Sequence, residues 1–334
     1  MLKGLSRRHF LGAGVGAVAS AGALAWLYRS RNTAIPLGNL VADRAGILDL
    51  PPGFSYQVLQ RVGDPMTDGF NAPAAPDGMA CFPGTDGSWV VMRNHEIHEG
   101  SPVDAALGFA DDRGGGVTRL VVDRASGTLR SSNFVLTGTS RNCAGGPSPY
   151  GWLSCEEVDE SGHGFVFLCD VSASELQAPH RLPALGRFSH EAAAFDAKTG
   201  ITYLTEDTSD SAIYRHVPNH ITRPFVGGEL QALKVSGKDR FMLSEGRKVD
   251  EAFNVEWVSI PDPQALKAST RDQAHNAGAA FFSRGEGAWL ADHHVYLCST
   301  DGGPTRRGQL YRLDISPGGE DRLTLVAQAE SNDS

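Results

Sequence analysis

Residues 138–157 (GTSRNCAGGPSPYGWLSCEE) combine a cysteine, a glycine-rich loop and two glutamates within one short stretch. A Cys143 thiolate could bind iron or another transition metal, and the glycines that follow would let the backbone approach a ligand closely. Glu156 and Glu157 end an apolar run, and because side chains alternate along a strand, at most one of them faces such a site. The pattern does not choose between them, and from this stretch alone an ordinary loop thiol is slightly favoured for Cys143.

A second polar group ends the apolar run in residues 89–96 (WVVMRNHE). Asn94 and Glu96 would share one strand face, and their oxygen atoms are the ligands that a hard cation such as calcium prefers. In isolation, a solvated loop explains these residues as well as a calcium site does.

Residues 186–207 (GRFSHEAAAFDAKTGITYLTED) read as a hairpin with its turn at DAKTG. His190 and Glu191 open one strand, while Glu206 and Asp207 close the next, so the acidic ends meet at one edge of the hairpin. The hairpin therefore predicts a cation site, with a merely charged rim as the alternative. His190 alternates away from Glu191 and is expected to be structural.

Residues 281–303 (FFSRGEGAWLADHHVYLCSTDGG) repeat this arrangement. Arg284 and Glu286 are two residues apart and would project in the same direction. They could form a simple ion pair, or the guanidinium could hold phosphate oxygens in bidentate fashion beside a metal-binding carboxylate.

The elements that would position these residues are short β-rich runs bounded by Gly, Asp, Asn and Pro, which predict an all-β protein. Four apolar runs end in polar or acidic residues. The interval from Glu96 to Glu156 is 60 residues, that from Glu156 to Glu206 is 50, and that from Asp207 to Asp301 is 94. A period near fifty favours a β-propeller of six blades, the last of them short or incomplete, over a β-sandwich. Each blade would bring its acidic strand end to one central channel.

The N-terminus predicts export. Arg7 and Arg8 precede an uncharged run over residues 12–27, which is typical of a twin-arginine signal and short for the ~30 Å of a bilayer core. The expected organisation is a signal and linker over residues 1–34 and a propeller domain over residues 35–334. The chain would engage the twin-arginine export machinery and reach the periplasm or the exterior, or stay membrane-anchored if the leader is retained.

Charge and cysteine content exclude several classes. The net charge is −9 and no basic run follows the leader, so nucleic acid is not an expected partner, and a monomer is expected. Five cysteines are an odd number for an oxidising compartment, so at least one is free or binds a ligand. No CxxC occurs, which argues against structural zinc, and Cys81, Cys169 and Cys298 in apolar runs are expected to be buried.

Taken together, the motifs resemble the PhoX family of secreted bacterial alkaline phosphatases over nearly the whole chain after the leader. The matching stretches, in the family's order, are GILDLPPGFSYQVLQRVGDPMTDGF, PDGMACF, RNHE, RNCAGGPSPYGWLSCEE, GRFSHEAAAFDAKTGITYLTED, SRGEGAWL and STDGGPTRRGQLYRLD. The SPYGWL stretch is shorter than the family's, and the chain ends where the family continues with a further acidic segment.

The resemblance implies a six-bladed propeller with an iron–calcium cluster that hydrolyses phosphate esters with a metal-bound oxo or hydroxide nucleophile. It implies that Cys143 is the iron thiolate, that Glu191 and Glu286 lie near iron, and that Arg284 holds phosphate with Glu286 beside it in catalysis. The residues it assigns to calcium or its surroundings are Glu96, Glu156, Asp207, Asn94 and Asn142. Two alternatives stay open: a calcium-stabilised propeller that binds without catalysis, and a lactonase-like calcium-dependent hydrolase.

Overall fold

The computed structural model describes residues 39–316, 318 and 320–330, and it divides into two compact units. Of the first unit, which ends at Leu59, residues 39–59 are described. There Val41 pairs with Leu50, and the Asp43 carboxylate accepts hydrogen bonds from the backbone and from the Tyr56 hydroxyl. The predicted twin-arginine signal lies outside the described residues. None of the helices that the structure describes has the length and apolarity needed for a membrane span.

The second unit, from Gln60 onward, is built almost entirely of antiparallel strands. The first sheet contains β1 (Pro76–Pro83), β2 (Ser88–His95), β3 (Gly115–Asp123) and β4 (Leu129–Thr139) in sequence order. The second sheet contains β5 (Asn142–Ser148), β6 (Gly151–Glu156) and β7 (Val166–Cys169). Both are meanders, in which each strand pairs with the next along the chain.

The third sheet joins two further meanders. One contains β8 (His190–Phe195), β9 (Thr202–Glu206), β10 (Tyr214–Pro218) and β11 (Gly228–Val235), and the other contains β13 (Gly285–Ala291), β14 (His294–Ser299), β15 (Gln309–Asp314) and β16 (Asp321–Gln328). Strand β12 (Ala252–Ser259) pairs with β11 on one side and with β16 on the other. The result is one nine-stranded sheet in the order β13-β14-β15-β16-β12-β11-β10-β9-β8.

The prediction of an all-β protein is confirmed, but a six-bladed arrangement is not. The described residues form three sheets, because β12 bridges the outer strands of two meanders. The interval of 94 residues between Asp207 and Asp301 does not hold a further separate meander. It holds β10, β11, β12, the first two strands of the last meander (β13 and β14) and the short helix α1 (Thr270–Asn276). Ser269 caps this helix by accepting a hydrogen bond from the Asp272 N–H.

Alternation along the strands builds the core. In β16 the residues Asp321, Leu323, Leu325 and Ala327 are buried while their neighbours are more exposed, as expected for strands covered on one face. Leu323 and Leu325 pack in the largest apolar cluster with the fully buried Tyr311. Burying each apolar side chain of this size contributes about 1.5–3 kcal/mol to the stability of the fold. This core therefore fixes the strands, and with them the polar residues at their ends.

Candidate active site

The four meanders begin with the same hairpin. In each, the first residue of the first strand pairs with the last residue of the second strand; these pairs are Pro76–His95, Asn142–Glu156, His190–Glu206 and Gly285–Ser299. The register then shifts, so that three residues on the first strand span two on the second. This is the signature of a β-bulge, a feature that re-aims a side chain and is common beside active sites.

Each bulge carries one potential ligand, at the second position of the first strand. We call these the bulge residues: Asp77, Cys143, Glu191 and Glu286. Each is followed by a small residue, and the four small residues are Gly78, Ala144, Ala192 and Gly287. Small residues are required where the first strands meet, since β5 packs against β1 and β8, and β13 packs against β8.

Two glycines show how close this packing is. A β-carbon on Gly78 would lie 2.7 Å from the Cα of Ala144, and one on Gly146 would lie 1.6 Å from the carbonyl oxygen of Ala193. The glycine at position 146 therefore lets β5 approach β8. The interpretation of the AGG stretch as a loop open to a ligand is wrong for Gly146, because a neighbouring strand occupies that space.

A second set of residues comes directly after the second strand of each hairpin. We call these the tip residues: Glu96, Glu157, Asp207 and Thr300. The backbone N–H of each tip residue donates to the carbonyl of the residue just before the first strand of its own hairpin, over 2.9, 2.9, 3.1 and 3.2 Å respectively. The same hydrogen bond thus fixes all four tips beside the four bulge residues. Together, bulge and tip residues form what we call the acidic cluster.

Cys143 lies at the centre of the contacts in this cluster. Its Sγ atom is 3.5 Å from Oε1 of Glu191 and 3.7 Å from Oδ2 of Asp77. Ligand atoms of Cys143, Glu157 and Glu191 lie within 4.8 Å of one another, and those of Asp77, Glu96 and Cys143 do the same. Two overlapping sets of donors therefore share the sulfur.

The cluster has more negative charge than its surroundings compensate. Burial, and then the charge of Glu286, raise the pKa of Glu191 to about 9. Burial raises the pKa of Glu157 to about 7, although Arg141 opposes the shift. Burial, followed by the charge of Glu191, also holds the pKa of the Cys143 thiol well above its usual range. A cation among these groups would reverse all three shifts, because it stabilises the charged forms.

Two more bulge residues show the same effect. Burial and then the charge of Glu96 raise the pKa of Asp77, while burial and then the charge of Asp207 raise the pKa of Glu286. The donor chemistry fits cations, since a thiolate suits iron or another transition metal and carboxylates suit calcium. The residues present therefore fit the metals that the sequence predicts, without identifying them.

Two arginines border the cluster. Arg284 binds Asp207 in bidentate fashion, with Nε at 2.9 Å and Nη2 at 2.6 Å, and Nη2 lies 3.5 Å from Glu286. Arg141 bridges two tip residues, with Nη2 at 2.9 Å from Glu96 and 3.1 Å from Glu157. Each guanidinium is about half exposed, so both face the opening of the cluster.

A family model described as alkaline phosphatase PhoX matches residues 35–133 and 121–330, which is nearly the whole chain. The chain belongs to the alkaline phosphatase PhoX family. It is therefore an enzyme of the phosphatase class, which hydrolyses phosphoric esters. Comparison with curated proteins found no match.

The fold of this PhoX-family chain is similar to that of a solved relative. The structure of Pseudomonas fluorescens PhoX in complex with vanadate, a transition state analogue, aligns with 79% of this chain and with 68% of its own chain. The TM-score is 0.56 and the sequence identity is 17%. A likeness at this identity concerns the fold.

Five of the residues expected from the sequence lie in the acidic cluster of this PhoX-family chain, and a sixth, Arg284, borders it. The five are Cys143, Glu191, Glu286, Glu96 and Asp207. His190 lies outside, as expected: its ring stacks on Phe188 with centroids 3.6 Å apart, and its Nε2 lies 3.2 Å from the carbonyl of Gly186.

Glu156 is placed on the opposite face of the strand end. It is fully buried, and its carboxylate accepts hydrogen bonds from the backbone N–H groups of Ser140, Gly164 and Phe165 and lies 2.8 Å from Nδ1 of His163. These partners hold both carboxylate oxygens away from Cys143. The structure thus places Glu157, and not Glu156, beside the sulfur.

Asn94 and Asn142 support the cluster from behind. The Asn94 amide donates to the carbonyls of Cys143 and Ala144, at 3.1 and 2.7 Å, while its oxygen accepts from Trp152 and Ser154. Asn142 donates to the Ser154 hydroxyl and accepts from Thr139. Their amide groups are thus engaged inside the protein, where they fix the backbone around Cys143.

Sequence reasoning missed two residues of the site, Asp77 and Arg141, and the assignment implied by the resemblance took Glu156 where the structure places Glu157. A signal for Asp77 exists in the repeated pairs DG, CA, EA and EG, each with a potential ligand before a small residue at a strand start. All five cysteines lie among the described residues and are free thiols. Cys169 is buried as predicted, but the prediction for Cys81 is wrong, because this residue is exposed on β1.

Proposed function

We propose that this chain is an exported, metal-dependent phosphatase that hydrolyses phosphate esters at the acidic cluster. The observation that carries the proposal is the meeting of the Cys143 thiol with carboxylates from its own hairpin and from two others, within 4.8 Å in each donor set. These groups are partly or fully buried, and the pKa values of Cys143 and Glu191 are raised. The neighbouring arginines do not neutralise all of this negative charge, so the cluster is suited to binding cations.

We assign iron to the sulfur side and calcium to the oxygen side. Cys143, Glu191 and Glu286 would hold iron, because a thiolate selects a softer metal than calcium. The carboxylates of Asp77, Glu96, Glu157 and Asp207 would hold calcium, which prefers several oxygen ligands. The overlap of both donor sets at Cys143 supports a shared cluster rather than separate sites.

The same contacts support a propeller-like arrangement of the four hairpins around the cluster. Strand β5 packs on β1 and β8, and β13 packs on β8, so the first strands are neighbours in space in the order of the chain. In such an arrangement each hairpin would contribute its bulge residue and its tip residue to one central opening.

The chain's own residues have defined roles in this proposal. When bound, the cations would polarise the phosphoryl oxygens and activate water for attack. Arg284 is aimed by its two hydrogen bonds to Asp207 and would bind phosphate oxygens in bidentate fashion. Thr300 contacts Glu286 at 3.4 Å and fixes the carboxylate beside that guanidinium. As negative charge builds on the phosphoryl oxygens, Arg284 would neutralise it.

Export through the twin-arginine pathway, to the periplasm or the exterior, is part of the proposal and rests on Arg7 and Arg8. A variant with both arginines replaced by lysine should accumulate in the cytoplasm. Cell fractionation would locate the variant, and normal export would contradict the proposed route.

The central test uses the full-length chain, expressed with its own leader and purified after export. Elemental analysis should find iron and calcium, and hydrolysis of a chromogenic phosphate ester should stop after exhaustive chelation and return on adding the metals. Cys143→Ser should lose iron, whereas the matched variant Cys81→Ser, at the exposed thiol, should keep it. Activity that survives complete removal of metals would refute the proposed function.

A further inference from the structure

Arg141 and Arg284 occupy equivalent positions in two different hairpins. Each stands immediately before the first strand and two residues ahead of a bulge residue, Cys143 in one case and Glu286 in the other. Both have a left-handed backbone, with φ of 47° and 45°. Ala75, just before the first strand of the β1–β2 hairpin, has the same conformation with φ of 46°, so this left-handed backbone is a feature of the repeated hairpin.

The backbone hydrogen bonds of the two arginines match as well. The N–H of Arg141 donates to the carbonyl of Ile97 over 2.9 Å, and that of Arg284 donates to the carbonyl of Thr208 over 2.8 Å. Ile97 and Thr208 each follow the tip residue of another hairpin, Glu96 in the first case and Asp207 in the second. The two arginines are therefore related by the internal repeat of the fold.

Their side chains follow the same rule. Arg141 reaches the tip carboxylate of the β1–β2 hairpin, Glu96, as Arg284 reaches the tip carboxylate of the β8–β9 hairpin, Asp207. The side chains are 42% and 47% exposed, so both stand at the mouth of the cluster. The Nε atom of Arg141 is buried and has no hydrogen-bond partner among the described residues.

We propose that Arg141 is a second substrate-binding residue, which donates to an oxygen of the phosphate group from the β5 side of the cluster as Arg284 does from the β13 side. This rests on the proposed phosphatase function. A guanidinium provides a planar fork of donors that matches phosphate oxygens. Its contacts with Glu96 and Glu157 would orient that fork, as Asp207 orients Arg284.

The test measures the affinity for inorganic phosphate by titration calorimetry, with the metal-loaded full-length protein. Arg141→Ala should raise the dissociation constant for phosphate about 10-fold or more, and Arg284→Ala should do the same. The matched control is Arg130→Ala: this arginine is 39% exposed and bridges the carboxylates of Asp86 and Asp123, outside the cluster. Its affinity for phosphate should stay within about 2-fold of the wild type.

Because Arg141 touches two proposed calcium ligands, bound metal is measured for every variant. A wild-type affinity for phosphate in Arg141→Ala, at wild-type metal content, would overturn the inference and leave Arg141 as a structural ion pair. So would a weakened affinity that returns to the wild-type value once the lost metal is restored. If Arg141→Ala does not fold, Arg141→Gln replaces it, and an unchanged affinity there overturns the inference too. Failure of the wild type itself to bind phosphate would refute the proposed function, and is distinguishable from all of these results.

Discussion

Replacing Glu191 by glutamine should change the pH dependence of stability in the metal-free protein. The carboxyl is buried, with 4% of the residue exposed, and its pKa is raised from the usual 4.5 to about 9 by burial and by the charge of Glu286. Between these two values the folded state holds a proton that the unfolded state has released. The free energy of unfolding must therefore fall as pH rises through this window, and not increase.

The size of the effect follows from proton linkage. One retained proton changes the free energy of unfolding by about 1.4 kcal/mol per pH unit, so Glu191 alone should cost the metal-free protein about 4 kcal/mol between pH 5 and pH 8. Glu191→Gln removes this titration while it preserves the size of the side chain. At pH 8 the metal-free variant should therefore be more stable than the metal-free wild type.

Urea unfolding in the presence of chelator, at intervals from pH 5 to pH 9, would measure both slopes. Glu175→Gln, at an exposed position, is the control and should keep the slope of the wild type. In the metal-loaded proteins the order should reverse, because the wild type then gains a ligand that the variant lacks. Identical pH slopes for Glu191→Gln and the wild type without metal would refute the view that Glu191 is buried among acidic groups.

Three other changes test separate parts of the structure. Gly78→Ala should destabilise the protein by about 1–3 kcal/mol in urea unfolding, because its β-carbon would meet the backbone of β5, whereas Gly287→Ala at the equivalent bulge position has nothing within 4 Å and should be close to neutral. Arg284→Ala should lower kcat/KM for a phosphate ester at unchanged metal content, by a factor that corresponds to a loss of about 2–4 kcal/mol of transition-state stabilisation. A rise in KM with unchanged kcat would contradict that role. Arg271→Ala should destabilise the fold by about 3–5 kcal/mol in thermal unfolding, since it leaves the Glu206 carboxylate buried without the guanidinium now 2.8 Å away; a near-neutral result would show that this ion pair is not required.

Much of the site could be predicted because its residues end strands of recognisable sequence. The apolar runs before Glu96 and Asp207 have the composition of buried strands, and polar residues at their ends must lie at a sheet edge. Alternation along the hairpin also separated Glu191 from His190 correctly. These are local properties, which depend on the two-residue period of a strand and not on its partners.

The choice between Glu156 and Glu157 needed the pairing of the strands. Strand β6 ends at Glu156, which pairs with Asn142 and turns its carboxylate to the backbone N–H groups of Gly164 and Phe165. Glu157 lies one position beyond the ladder and is free to face Cys143. The sequence shows that the two residues alternate, but only the position of the last ladder pair decides which one faces the site.

The same limit applies to the number of blades and to Arg141. A spacing near fifty residues predicted separate units, but β12 pairs with strands from two meanders, and pairing between distant strands leaves no periodic trace in the sequence. Arg141 resembles any loop arginine until its backbone is seen to repeat that of Arg284. The sequence by itself determined which polar residues lie near strand ends and which neighbouring residues project to opposite sides of a strand. The tertiary structure decided where each strand stops, where it bulges and which ends meet, because these depend on hydrogen bonds to partners far away in the chain.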